Sequence, residues 1–138
     1  MTGSKDETLA AIAAKAVKET AYHIRHAGEW VIRLGDGTEE SARRMQAAVE
    51  LLHPYTAELF ENDDLTADLA AAGIASEPSD MRKEWDRTIG TIFAEAELSE
   101  PDVPFPYSGG RKGEHGEAMG YLLAELQHMQ RTYPGASW

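Results

Sequence analysis

Two tetrads in this sequence have the spacing used to hold metal: Glu50-Leu51-Leu52-His53 and Glu125-Leu126-Gln127-His128. A glutamate and a histidine three residues apart share one face of a helix, and helical bundles build carboxylate-bridged di-iron sites from such pairs. With 16 glutamates and 5 histidines in 138 positions, chance alone supplies about 0.6 such spacings, so two is mild enrichment. Helical phase then separates the members. At about 100° per residue, Met45, Ala48, Val49, Leu52, Tyr55 and Leu59 form one apolar stripe, and Glu50 points nearly opposite to it. Met119, Leu122, Leu123, Leu126 and Met129 form another, and His128 points away from it. Each pair is expected to keep one member in solvent, so no residue is assigned as catalytic or metal-binding. The alternative, a di-iron set of Glu50, His53, Glu125 and His128, requires all four to face one cavity.

Glu19 and His23 differ, because they fall within the stripe of Leu9, Ile12, Ala16, Trp30 and Leu34. Buried polar groups need partners, and a separation of four suits a hydrogen bond or ion pair along the helix. They are expected to form a buried polar pair without metal; Tyr22 stands at the three-residue position, on the wrong face. Further on, Ser108-Gly109-Gly110-Arg111-Lys112-Gly113 puts two cations on flexible backbone just before a helix, with His115 following. Such a loop can bind phosphate or carboxylate, contact an acidic patch on a partner, or simply turn. Tyr133 and Trp138 read as core or interface anchors.

The elements that carry these residues are helices. No run of alternating β-branched residues reaches strand length, and nearly every turn residue marks a helix end. Ser4 and Glu7 read as a capping box opening a helix to about Leu34, stopped by Gly35 and Gly37. Thr38 caps the next, expected to reach Phe60 with a kink at Pro54. A short helix from Leu65 to Ala72 stops at Gly73, and another runs from Ser79 or Asp80 to Glu97. Residues 98–113, with Pro101, Pro104 and Pro106, form a long loop before a last helix from Glu114 to Thr132. The expectation is an all-α fold of about five helices in one domain, residues 1–138.

The formal net charge of -11 repels phosphate backbones and anionic headgroups, which argues against nucleic acid and membrane surfaces as partners. The absence of cysteine excludes disulfides, zinc-thiolate sites and iron-sulfur clusters. The first residues lack the apolar core of a signal peptide, and no apolar run is long enough to span a bilayer. The chain is therefore expected in the cytoplasm.

Several blocks resemble one family in order from end to end. Ala10 to Glu19, then Tyr22-His23-Ile24-Arg25 and Trp30, lead into the turn Arg33-Leu34-Gly35-Asp36-Gly37-Thr38. Tyr55 to Phe60 and Ala72-Gly73-Ile74 follow, and Gly109 to Gly113, His115, Gly120 to Gln127, Gln130-Arg131, Pro134-Gly135 and Trp138 close the series. Together they resemble the PaaC subunits of the bacterial phenylacetyl-CoA ring 1,2-epoxidase of aerobic phenylacetate degradation. The resemblance implies a ferritin-like, non-catalytic scaffold with no cofactor of its own, paired with a similar catalytic subunit that carries the di-iron centre. That complex epoxidises the aromatic ring with dioxygen and electrons from a reductase, and the glycine-basic loop then becomes a candidate contact for a CoA phosphate or for the partner subunit. His53 and His128 stand where relatives carry aromatics, and Ala118 where a second histidine is common. Family members are about twice as long, with Met1 aligning near their middle. The chain thus reads as the C-terminal part of such a subunit, its core incomplete alone, expected to self-associate or to need another chain.

Overall fold

A computed structural model describes residues 1–137; Trp138, expected as an anchor, lies outside the described residues. The fold is all-α, consistent with a ferritin-like bundle, and no strand occurs among the described residues. The α-helices are α1 (Glu7–Gly35), α2 (Glu39–Leu52), α3 (Asp64–Ala71), α4 (Arg82–Glu95), α5 (Glu117–Leu126) and α6 (His128–Thr132). The chain divides into two compact units, Met1–Tyr107 and Ser108 onwards.

Local chemistry explains most boundaries. Asp6, not Ser4, caps α1: its carboxylate accepts from the Leu9 N–H at 2.9 Å, while the Ser4 hydroxyl accepts from the Asp6 N–H at 3.1 Å. A carboxylate at that position also meets the positive end of the helix dipole. Thr38 caps α2 as expected, accepting from the Ser41 N–H at 3.2 Å. Pro54 ends α2 rather than kinking it. Proline has no N–H to give the carbonyl one turn back and disfavours helical geometry in the residue before it. The chain continues in two 3-10 turns, His53–Tyr55 and Ala57–Phe60. Asp63 and Thr66 form a reciprocal capping box on α3, and Gly73 stops it with φ +72. A 3-10 turn, Pro78–Met81, leads into α4. The last expected helix is shorter and in two pieces: it starts at Glu117, after Gly113 with φ +88 and Gly116 as cap, and it is interrupted at Gln127. Nothing in the residues around Gln127 explains the interruption.

In the first unit, α1 packs on α2 and α4 through its C-terminal third. Gly28 and Gly35, two turns apart, are the buried residues of α1, and they let α4 approach at Ile92 and Ala96. Ala96 is the one buried hydrophobic residue among those described, and no large side chain is fully buried. Domains ordinarily enclose many such side chains. Here Ile12, Val17, Ile24, Trp30 and Leu51 are instead exposed.

Candidate functional site

Of the four tetrad residues, His53 is the enclosed one. Its side chain is only 12% exposed because the 3-10 turn after α2 swings it inward. There its ring centroid lies 5.9 Å from that of Trp85 and 6.3 Å from that of Phe93. Its Nε2 is 3.6 Å from a carboxylate oxygen of Glu100. The histidine sits at the edge of an open apolar hollow formed by Val31, Met45, Val49, Leu52, Ile89 and Phe93 among others. Phe60 stacks edge-on against Trp85 at 5.4 Å, and the Arg82 guanidinium covers both rings.

Glu50 does not share this hollow. It is exposed and accepts from the Gln46 side chain at 3.2 Å. The same Gln46 amide donates to the Ser99 carbonyl at 3.1 Å and accepts from the Ser99 N–H at 2.9 Å, tying the segment after α4 to α2. In the second unit, Glu125 and His128 are both exposed and straddle the break at Gln127. Among the described residues, no three His, Asp or Glu side chains gather into a group able to hold a metal ion. In the first unit His53 thus lies among rings and near Glu100 while Glu50 is exposed.

Glu19 and His23 are not the buried pair expected from the stripe. Their side chains are 74% and 66% exposed, with 4.0 Å between Oε1 and Nε2. The face of α1 that packs is instead that of Gly28, Val31, Ile32 and Gly35, while Ile12, Trp30 and Leu34 of the expected stripe are exposed along with the pair. Along α1, Tyr22, His26 and Trp30 form a ladder at successive turns: Tyr22 stacks on His26 at 5.7 Å, and His26 meets Trp30 edge-on at 6.5 Å. Arg25 lies 5.7 Å over Tyr22 and Arg33 5.1 Å over Trp30, within cation–π range. Sequence reading missed this ladder, although the spacing of four between its rings was the signal for it.

The glycine-basic loop is held by its own backbone. Gly109 (φ +95) and Gly113 (φ +88) adopt left-handed geometry and bracket a 3-10 turn containing Arg111 and Lys112. The Gly109 carbonyl accepts from the N–H groups of Lys112 at 2.8 Å and Glu114 at 3.0 Å. The Glu114 side chain folds back so closely that a Cβ on Gly109 would lie 2.7 Å from its carboxylate oxygen. An acid thus already occupies the space beside the turn. His115 follows it, exposed.

Electrostatic shifts lie elsewhere, on the surface. Glu40 accepts from Arg43 at 2.9 Å and Arg44 at 2.7 Å, and these bonds hold its carboxyl below the ordinary value of 4.5. Arg87 acts likewise on Glu84, and its own guanidinium is pushed up in return. Both pairs link neighbouring turns of a helix and build no cleft.

These features define an all-α helical-bundle protein. Residues 1–138 match the family described as phenylacetic acid catabolic protein, and the chain belongs to that family. It is 43% identical over 135 residues to the C subunit of 1,2-phenylacetyl-CoA epoxidase from Escherichia coli (strain K12). The match covers 98% of this chain and 54% of that protein, so the chain spans about half the length of the curated relative it matches.

Proposed function

We propose that this chain serves as part of a non-catalytic structural subunit of a phenylacetyl-CoA ring 1,2-epoxidase in aerobic phenylacetate degradation, supporting a separate catalytic subunit that carries the di-iron centre. The observation that carries the reading is the 43% identity to the C subunit of such an epoxidase, sustained over 98% of the chain. The non-catalytic role is supported by the enclosed packing of His53 and the outward placement of Glu50, Glu125 and His128. The place of action is the cytoplasm, and no helix among the described residues is long and apolar enough to cross a membrane. Of the two uses of the glycine-basic loop, contact with the partner subunit is favoured over a CoA phosphate, because the Glu114 carboxylate beside Gly109 repels an added anion.

Co-expression of the chain with an epoxidase catalytic subunit, followed by affinity purification through a tag on either chain, tests the assembly. Co-purification at a fixed ratio is the expected result. Failure to co-purify points to a helical adaptor with no epoxidase role. Metal analysis of the separately purified chain tests the catalytic alternative: close to two irons per chain overturns the structural role.

A further inference from the structure

We infer that residues 98–107 form a strap, clamped at both ends against α2 and the turn after it, whose two clamps open and close together and so set how much free chain leads to the residues from Ser108 onward. The first clamp is the paired bond of the Gln46 side chain to the Ser99 carbonyl and N–H. The second is at the other end, where the Tyr107 N–H donates to the Pro54 carbonyl at 3.0 Å. There the Tyr107 ring also stacks on Tyr55, with centroids 4.4 Å apart. Between the clamps, a carboxylate oxygen of Glu100 lies 3.6 Å from His53 Nε2. One continuous track, from Gln46 through His53 and Pro54 to Tyr55, thus holds both ends of the segment.

Two features mark the segment as a strap that lets go and recloses. It has no helix or strand of its own, and Pro101, Pro104 and Pro106 have no N–H to tie down. Their rings restrict the released chain, which lowers the entropy to be lost on reclosing. The second feature is the joint with α4. Glu97 has φ +54 and is, among the described residues, the one non-glycine with positive φ. Helices that end in left-handed geometry usually place glycine there, and a residue with a side chain stays so only where its surroundings hold it. Glu97 is held from behind by the end of α4, where the Leu98 N–H donates to the Phe93 carbonyl at 3.0 Å, and from ahead by the Ser99 clamp. Closed, the strap lets the chain leave the first unit at Tyr107, beside Pro54. Released, the last fixed point is the end of α4, and about 30 Å of extendable chain is added at about 3.3 Å per residue.

Amide hydrogen exchange on the full chain, read residue by residue by NMR, tests the coupling. Gln46→Ala removes the first clamp and with it the acceptor for the Ser99 N–H. The deciding amide is Tyr107, whose acceptor, the Pro54 carbonyl, is untouched by the substitution. Its protection should fall about fivefold or more, as expected of a segment that opens as one unit, while Ala96, bonded to Ile92 at the end of α4, stays protected. Unchanged protection at Tyr107 overturns the strap and leaves two independent contacts. A loss that extends to Ala96 overturns it as well, since the first unit is then opening as a whole. Tyr107→Ala works from the other end: it removes the stack on Tyr55 and should lower protection at Ser99, and a Ser99 amide that does not respond overturns the coupling. Glu97→Gly separates a strap from a plain helix end. Glycine takes left-handed geometry without steric cost, so protection should rise at Ser99 and Tyr107 together. A rise confined to Leu98, or no rise at all, overturns the proposal.

Discussion

Gly35 of α1 lies so close to Ala96 that a Cβ built on it would stand 2.4 Å from the Ala96 carbonyl oxygen. That oxygen is backbone and cannot swing aside. At Gly28, by contrast, an added Cβ would meet the end of the Ile92 side chain at 3.0 Å, a group that can shift. Gly35→Ala should therefore destabilise the docking of α1 on α4 by about 1–3 kcal/mol, as overpacked sites do. Gly28→Ala should stay within about 1 kcal/mol of wild type, because higher helix propensity offsets the contact. Urea denaturation of both variants measures the difference.

His53 is held by rings, and its substitutions should follow volume rather than charge. His53→Ala leaves a gap between Trp85 and Phe93 and should cost about 2 kcal/mol or more. His53→Phe should keep most of the stability and leave co-purification with a catalytic subunit unchanged. Thermal melts give the first result and affinity purification the second. A ligand role demands the opposite, with Phe as damaging as Ala.

Sequence patterns exposed the caps and stops because those depend on a few adjacent residues. Thr38 and Gly73 do what their local chemistry dictates, and the loop from Leu98 to Gly113 follows from its prolines and glycines. Two kinds of information were not local. Phase grouped Glu19 and His23 with Ile12, Trp30 and Leu34, yet the face of α1 that packs is that of Gly28, Val31, Ile32 and Gly35. The tight approach at Gly28 and Gly35 required knowing which helix lies opposite. In the candidate site, the outward direction of Glu50 and His128 was legible; the ring packing of His53 was not.

The pairing of Glu40 with Arg43 and Arg44 sets a pH dependence whose sign is fixed. Its carboxyl is held below 4.5 in the folded chain by those two hydrogen-bonded cations. The stabilisation is therefore complete above 4.5 and is lost as pH falls through the lowered folded value. Glu40→Gln should melt below wild type at pH 7 and match it once both are measured well into the acid range. The gap at pH 7 should shrink in 1 M salt, because these side chains are exposed to solvent. Helix melting by circular dichroism at several pH values and salt concentrations reads both effects.

Gln46 makes a two-way bond to Ser99, donating to its carbonyl at 3.1 Å and accepting from its N–H at 2.9 Å. An amide side chain carries the donor and the acceptor that this needs. Gln46→Ala should release the segment after α4 and cost about 1–2 kcal/mol, the loss of two ordinary hydrogen bonds. Gln46→Glu retains the acceptor for the Ser99 N–H but sets a carboxylate against the Ser99 carbonyl, beside the acid of Glu50, and should be no better than Ala at neutral pH. Protonating the introduced acid restores a donor, so the Glu variant should recover relative to Ala as pH falls below the carboxylate range. Amide hydrogen exchange at Ser99 is the direct readout: protection should fall in the Ala variant at every pH and return in the Glu variant on acidification.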